Sequence, residues 1–451
     1  MNLEKLFNEF IADVKKEGTY ASKEELIQAC KPMLDIIKNN KNATPEELVG
    51  KIIKSDIDLL EEIRTNYHIP GYTVGLSVGN INVKIIGGDI DSNGRKMAKD
   101  ALFDVASITK LYTEIIAYNL IDNHTINLID KIKKLDSRFV NVGGLKVSDV
   151  LSFTVSFKKD EKIYDKKTVE EAKRCLYNVA VTQIGEYNYN DVGMMIMKEV
   201  MEAVTGKKYS ELLNEYILDK LDLSETFLTV PKDKLDLLTG TPNANLGSVN
   251  DPSANALGGY SGHAGIKASS DDLIKLGYGL EKGIILPKYL LEKLSTPGIK
   301  YNRNSTFGCV YVATGKTGAY ISKLAPKSEI AVQGSTRVQA NFGRNSQSTI
   351  LLNPSSMSIK QARELENKLN ETRIKTELPP IPVVEKQFDY DRNGKIVKYN
   401  LIDARKIIDT VGTVVRITDK NAEVVLCLRF LNKVMQFYNK NKYVNIILAK
   451  Y

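Results

Sequence analysis

The stretch Phe103-Asp-Val-Ala-Ser107-Ile-Thr-Lys110 decides the fold of this chain. Ser107 opens an apolar-periodic run that reaches Ile121, which predicts a helix with Ser107 and Lys110 on one face. A serine hydroxyl is a poor nucleophile until a base takes its proton, and a lysine can be that base if burial disfavours its ammonium form. A helix N-terminus also favours an oxyanion. The spacing therefore indicates nucleophilic chemistry that needs no histidine.

Strand patterns lie on both sides of this helix. Residues 72–78 and 81–86 read as two strands joined by a Gly-Asn turn, and strand signals return at 307–312, 329–342 and 348–352. The chain between 107 and 225 is mostly helical in pattern. This order predicts an α+β fold (an α/β sandwich), with an antiparallel sheet assembled from distant pieces, flanking helices and an inserted helical subdomain.

The two ends of the chain predict additions to that domain. Residues 1–67 are helical in pattern, and Thr44-Pro45 is typical of a helix start. The sequence Leu378-Pro-Pro-Ile-Pro is typical of a stiff linker. We therefore predict an N-terminal helical extension at 1–67, a main domain at 68–376 and a small mixed α/β extension at 377–451.

Composition excludes several classes of protein. The 451 residues include three histidines, which makes a His-rich metal centre unfavourable, and we expect no metal and no cofactor. No apolar stretch of about 18 residues occurs, and the N-terminus lacks an apolar signal region, so we expect no membrane span and a cytoplasmic location. The four cysteines form no Cys-x-x-Cys pair and fit a reducing compartment: Cys30, Cys175, Cys309 and Cys427.

The net charge of +8 raises the alternative of a nucleic-acid-binding protein, especially through the more basic C-terminal segment. Acidic and basic residues are interspersed, however, and this pattern favours an ordinary solvated surface. We therefore expect no nucleic acid, and a small-molecule or short-peptide substrate instead.

Several motifs in order resemble the serine beta-lactamase and penicillin-binding-protein superfamily. The likeness is greatest to the class C-like serine hydrolases, which include D-Ala-D-Ala carboxypeptidases and esterases. The block 102–110 is similar to the nucleophile motif of that family, and Tyr189-Asn-Asp191 to its Tyr-x-Asn motif in a Tyr-x-Asp form. The sequence 251–265, which contains His263, resembles a glycine-rich loop of one branch, and 350–353 the last strand. The likeness covers about 69–372.

The resemblance implies a beta-lactamase/transpeptidase-like fold and a serine acyl hydrolase. In that scheme Ser107 is acylated and Lys110 is the general base. Tyr189 relays a proton to the leaving group or, as a phenolate, assists the base. Backbone N–H groups of Ser107 and of a third-motif strand hold the oxyanion. Asp191 and His263 are candidate substrate-binding residues, and the substrate is a small ester, an amide or a D-amino-acid peptide.

Two segments compete for the third motif, which the family places on an inner strand. Lys316-Thr317-Gly318 has the expected letters but sits where a hairpin turn is equally natural. Gln333-Gly334-Ser335-Thr336-Arg337 has a better spacing before 350–353 but lacks the Lys or His. In the second case Arg337 supplies the positive charge that holds a substrate carboxylate. The sequence leaves both open.

Two departures from the family pattern favour an alternative function. Phe153 stands where the family has a histidine, and Asn250 stands where it has the histidine of a His-Asp pair. The alternative is a catalytically inactive beta-lactamase-like protein that binds a ligand or a partner, with the extension 377–451 as one place for that partner.

Overall fold

The computed structural model describes residues 2–66, 68–91, 94–142, 144–158, 162–240, 248–294, 311–312, 321–353, 414–438 and 442–450. The α-helices of these residues are α1 (Leu3–Glu17), α2 (Lys23–Asn39), α3 (Pro45–Asn66), α4 (Thr109–Asp122), α5 (Ile132–Leu135), α6 (Val147–Leu151), α7 (Val169–Tyr177), α8 (Val192–Thr205), α9 (Tyr209–Leu213), α10 (Asp219–Leu221), α11 (Pro252–Ala256), α12 (Ser270–Lys282), α13 (Lys288–Leu294) and α14 (Val414–Phe437). The strands are β1 (Gly71–Val78), β2 (Ile81–Gly88), β3 (Phe103–Asp104), β4 (Val155–Lys158), β5 (Ala180–Ile184), β6 (Thr226–Phe227), β7 (Lys267–Ala268), β8 (Tyr311–Val312), β9 (Ile330–Gly334), β10 (Val338–Gly343), β11 (Ser346–Leu352) and β12 (Val444–Lys450). Shorter turns of helix occur at Ala106–Ile108, Ile163–Asp165, Lys232–Leu237 and Asn214–Leu218, of which the last is a π-helix.

The chain divides into two compact units. The first unit contains residues 1–99, 316–327 and 350–451, and the second contains 100–315 and 328–349. The predicted boundary after residue 376 lies outside the described residues, and the three-part division stays a prediction.

The sheet of the first unit is built on the predicted hairpin. Strands β1 and β2 pair antiparallel from Gly71↔Gly88 to Val78↔Ile81, and Gly79 takes the positive φ (57°) that their turn needs. On the other side of β2, β12 pairs in parallel. The parallel edge differs from the expected all-antiparallel sheet, because a parallel neighbour needs a long crossover that local patterns do not reveal.

The core of the first unit joins the two ends of the chain. Helices α1, α2 and α3 pack with α14, and the ring of Phe430 lies 5.1 Å from that of Phe7. The predicted helix start at Thr44 is confirmed: Glu47 N–H donates to the Thr44 hydroxyl, and Thr44 N–H donates to the Glu47 carboxylate. Local caps therefore begin these helices, while burial of their apolar faces stabilises them.

The second unit holds the helical middle of the chain. The predicted strand at 329–342 is in fact the hairpin β9–β10, which turns at Ser335–Arg337 because Arg337 takes a positive φ of 71°. A small second sheet has the order β3-β7-β6, with β3 leading directly into the turn Ala106–Ile108. Helix α4 follows that turn and is buried almost all round. The α+β class is confirmed, and α4 is held on every side.

Candidate active site

Ser107 and Lys110 meet at the start of α4. Ser107 lies half-buried in the turn Ala106–Ile108, and Lys110, in the first turn of the helix, is completely buried. The Lys110 Nζ donates to Ser107 Oγ at 2.8 Å and to the carbonyl oxygen of His263 at 3.4 Å. The structure therefore brings these two residues together as the three-residue spacing predicts.

Asp191 decides the charge of Lys110. Its Oδ1 lies 2.8 Å from Nζ, at the point where α8 begins, and its side chain is 41% exposed. Burial by itself lowers the pKa of Lys110, the Asp191 carboxylate in contact with it raises the pKa, and the net pKa lies above the usual value. A carboxylate in direct contact favours the ammonium form of Lys110, and the uncharged amine expected from the sequence stays a prediction.

Tyr189 lies beside the same lysine. The Lys110 Nζ is 4.9 Å from the centroid of the Tyr189 ring, and the residue keeps 38% of its surface exposed. Burial raises the pKa of Tyr189, and Lys110 offsets only part of this increase. The phenol therefore stays protonated and can donate a proton.

Phe153 forms the wall behind Tyr189. Its buried ring stacks on the Tyr189 ring, with the centroids 5.2 Å apart and the planes within 7°. Phe153 also has a positive φ of 52°, which is unusual for an aromatic residue. At the position where the family has a histidine, this chain therefore carries an aromatic support for the tyrosine.

His263 and Asp251 form a second pair beside the lysine. The His263 side chain is 1% exposed, and its Nε2 lies 2.9 Å from Asp251 Oδ1. The same oxygen accepts from Ala254 N–H and caps α11. Burial raises the pKa of Asp251, but His263 and Ala254 lower it by more, so the net pKa lies below its usual value. His263 thus turns its carbonyl to Lys110 and its ring to Asp251.

Three of these residues could hold a metal by distance alone. Asp191, Asp251 and His263 each offer a ligand atom, and these atoms lie within 4.8 Å of one another. The Lys110 ammonium already contacts the Asp191 carboxylate, and the Asp251 carboxylate already pairs with the His263 ring. We therefore assign these carboxylates to the lysine and the histidine and propose no metal.

The segment 333–337 lies against the turn that carries Ser107. The Thr336 hydroxyl donates to the Asp104 carbonyl oxygen at 2.5 Å, and a Cβ added at Gly334 would lie 2.4 Å from the Val105 carbonyl oxygen. Only glycine allows that approach. In the same segment Ser335 is exposed and Arg337 is buried. The competing residues Lys316, Thr317 and Gly318 lie outside the described residues, so that alternative stays untested.

Sequence reasoning missed the carboxylate that holds this turn. Asp104 is buried, and its oxygens accept from the N–H groups of Ala106 (2.9 Å) and Asn250 (2.8 Å). Asn250 contributes its main chain, so this hydrogen bond does not depend on the side chain at the predicted departure. An acidic residue inside the apolar run 101–106 is the signal that points to Asp104.

A model of the beta-lactamase family matches residues 57–310, more than half of the chain. The chain belongs to the beta-lactamase family. The predicted resemblance to this family is confirmed.

Individual relatives of this beta-lactamase-family protein are distant. The teichoic acid D-alanine hydrolase of Staphylococcus aureus is 25% identical over 135 residues, which are 30% of this chain and 34% of that protein. The chain thus matches about a third of the length of this curated relative.

Three solved structures show the fold. One is a beta-lactamase/D-alanine carboxypeptidase from Yersinia pestis (TM-score 0.55, 16% identity, 70% of this chain and 95% of that chain). Another is FmtA from Staphylococcus aureus (TM-score 0.53, 17% identity, 77% and 97%). The third is EstCE1, a hydrolase with promiscuous acyltransferase activity (TM-score 0.54, 16% identity, 67% and 94%). The predicted beta-lactamase/transpeptidase-like fold is confirmed.

Within the described part of the chain, no helix has the length and apolar character needed to span a membrane. The cytoplasmic location, the absence of nucleic-acid binding and a partner bound through 377–451 stay predictions.

Proposed function

We propose that this protein hydrolyses an acyl ester or amide through a covalent ester on Ser107, with Lys110 and Asp191 acting together as the base. One observation carries the proposal: Lys110 Nζ lies 2.8 Å from Ser107 Oγ and 2.8 Å from Asp191 Oδ1. The hydroxyl, the amine and the carboxylate therefore form a continuous chain of hydrogen-bonded atoms.

The proton of Ser107 travels along this chain. When Oγ forms its bond to the substrate carbonyl carbon, its proton passes to Nζ while a proton of Nζ passes to Asp191 Oδ1. Lys110 alone is a poor acceptor, because the neighbouring carboxylate keeps it charged. The transfer to Asp191 frees the nitrogen at the moment when the serine proton arrives.

Tyr189 supplies the proton of the leaving group. Its protonated phenol gives that proton to the leaving oxygen or nitrogen as the scissile bond breaks, and it regains one from Lys110. Water then attacks the acyl-Ser107 ester, and the released acid leaves the serine hydroxyl restored. The backbone N–H of Ser107 and an N–H of 333–337 are the proposed oxyanion donors, supported by the close approach of Gly334 to Val105.

The substrate class is a small ester, an amide or a D-amino-acid peptide. The likeness to a teichoic acid D-alanine hydrolase supports D-alanyl esters within this class. Ser335 is exposed at the turn of the β9–β10 hairpin and is suited to contact a substrate. Arg337 is only 3% exposed, so its role in holding a substrate carboxylate stays a prediction.

A fluorophosphonate probe tests the proposal, because it phosphonylates an activated serine. We expect a single adduct on the peptide that carries Ser107, loss of this adduct in Ser107→Ala, and its retention in the control variant Ser55→Ala, which changes an exposed serine of α3. Absence of the adduct from the wild type, or its persistence in Ser107→Ala, would favour the ligand-binding alternative. Peptide mass mapping of intact, folded protein reads out each result.

A further inference from the structure

The turn that presents Ser107 is held by a single carboxylate. Asp104 immediately precedes this turn, and its side chain bonds forward to Ala106 N–H and across to Asn250 N–H. Ala106 has a φ of +44°, a conformation that a residue with a side chain adopts only when its surroundings impose it. The hydrogen bond from Ala106 N–H to Asp104 is the nearest such constraint.

The main chain beside Asp104 is tied to two further segments. Its carbonyl oxygen accepts from the Thr336 hydroxyl, and Val105 N–H donates to the carbonyl oxygen of Ile266 at 3.0 Å. The strand β3 itself has only two residues, which pair with β7. Pairing over two residues therefore does little to fix the turn. The segments around 250 and 336 hydrogen-bond to Asp104, and the segment around 266 hydrogen-bonds to Val105.

A buried lysine balances the charge of this carboxylate. Lys267 is 2% exposed, and its Nζ donates to the Gly265 carbonyl oxygen at 3.1 Å. The net pKa of Asp104 lies above its usual value, because burial raises it by more than Lys267 and the backbone hydrogen bonds lower it. The two hydrogen bonds from backbone N–H groups also favour the ionised form.

We propose that Asp104 is a positioning residue that sets the turn Ala106–Ile108 so that Ser107 Oγ points at Lys110. It acts through the main chain and does not touch the substrate. This inference rests on the proposed nucleophilic role of Ser107. It assigns a role in the reaction to a residue outside the Ser107, Lys110 and Tyr189 group.

The variant Asp104→Asn keeps size and shape but replaces one of two acceptor oxygens with an NH₂ group. That group faces a backbone N–H, so one of the two hydrogen bonds is lost. Small misplacements of reacting groups cost about 100-fold in rate. We expect the maximal rate of fluorophosphonate labelling at Ser107 to fall by about 10- to 100-fold, with the probe concentration at half-maximal rate unchanged.

Two further variants separate positioning from stability. The double variant Asp104→Asn/Lys267→Met removes the ammonium that Asp104→Asn leaves uncompensated. We expect it to recover melting temperature while labelling stays slow. The control is Asp272→Asn, because Asp272 is also a buried carboxylate of this unit; its Oδ2 accepts from both Glu225 N–H and the Thr226 hydroxyl at 2.8 Å, and an asparagine oxygen can keep both bonds. We expect this control to keep the wild-type labelling rate per folded molecule.

The labelling results distinguish failure of the positioning role of Asp104 from failure of the proposed function of Ser107. Wild-type labelling kinetics in Asp104→Asn, or an equal loss in Asp272→Asn, would overturn the positioning role while Ser107 remains the nucleophile. Recovery of both stability and labelling in the double variant would also overturn it, because the defect would then come from the unpaired lysine. Absence of labelling at Ser107 in the wild type would instead overturn the proposed function, and this inference with it.

Discussion

Two buried lysines of the second unit have opposite electrostatics. Lys110 and Lys267 are equally hidden from solvent, at 0% and 2% exposure. The pKa of Lys110 is raised, whereas burial lowers the pKa of Lys267 and Asp104 offsets only part of this. The difference is contact: Asp191 lies 2.8 Å from Lys110 Nζ, whereas Lys267 Nζ donates to the Gly265 carbonyl and interacts with Asp104 through space. Burial alone therefore does not make a lysine a base.

The first and largest expected effect tests whether Lys110 must move a proton or only carry charge. Lys110→Arg keeps a cation beside Asp191, but a guanidinium does not give up its proton in proteins. We expect fluorophosphonate labelling at Ser107 to slow by about 100- to 10,000-fold, the range for loss of general base catalysis. A rate within threefold of the wild type would mean that charge alone suffices.

The control for this substitution is Lys198→Arg. Lys198 is a buried lysine of the same unit, and its Nζ lies 3.0 Å from Glu199 and 2.9 Å from Glu202. We expect this variant to label at the wild-type rate, because Lys198 lies outside the proposed proton path. A large loss there would show that any exchange of lysine for arginine in this unit disturbs the site.

The second prediction concerns pH, and the variant is Asp191→Asn. In the wild type the pKa of Lys110 is raised, so the lysine stays protonated across neutral pH and the pair accepts the proton together. The labelling rate should then be flat around pH 7. Without the carboxylate the pKa of Lys110 falls, and the amine alone must accept the proton, so we expect a rate that is about 10- to 100-fold lower at pH 7 and rises with pH.

A wild-type labelling rate that rises steeply with pH would contradict the shared-base mechanism. If neutral Lys110 is the base in the wild type, the wild-type rate rises steeply with pH, and Asp191→Asn shifts that rise to lower pH. Labelling rates measured from pH 5 to pH 10 on both proteins separate the two cases. Circular dichroism at each pH confirms that only folded protein is compared.

The third prediction concerns stability rather than rate, and it extends the comparison to a buried carboxylate in the first unit. Asp56 of the first unit has 0% exposure, and neither carboxylate oxygen has a hydrogen-bond partner among the described residues. Burial raises its pKa to about 7, and Lys420 offsets little of this. Because the folded state holds its proton more tightly than the unfolded state, Asp56 destabilises the fold increasingly as pH rises from about 4 to about 7.

Asp56→Asn removes this penalty. We expect the free energy of unfolding to increase by up to about 4 kcal/mol at pH 8, with a gain that shrinks toward zero near pH 4. Denaturant unfolding at the two pH values measures it. Asp58→Asn, an exposed carboxylate on the same helix, serves as the control and should change stability little at either pH. A gain for Asp56→Asn that does not vary with pH would contradict the assignment.

Much of the fold followed from local patterns. The β1–β2 hairpin, the capped start of α3 and the run of α4 all lie where periodicity and turn residues predict them. Strand signals over 329–342 do not reveal the turn of the β9–β10 hairpin, because Arg337 takes a positive φ that arginine rarely adopts. The parallel β12 was also missed, since its partner β2 lies at the other end of the chain.

The candidate site was only partly visible in the sequence. The Ser107–Lys110 contact follows from a three-residue spacing at a helix start, and Tyr189 follows from the resemblance to a family. Asp104 was missed because its role depends on Asn250, which is distant in sequence. The contact of Lys110 with Asp191 was not predicted, since the spacing says nothing about a carboxylate at the start of another helix.

The sequence by itself determined which residues share one turn of helix, because neighbours three positions apart in a helix stay neighbours wherever the helix packs. Only the tertiary structure decided what meets that turn. It brings Asp191 to Lys110. In the first unit it likewise places Cys30 Sγ 3.8 Å from the Leu426 carbonyl oxygen and Cys427 Sγ 3.4 Å from the Ala29 carbonyl oxygen. Charge and hydrogen bonding act over a few ångströms in space, and packing alone sets those distances.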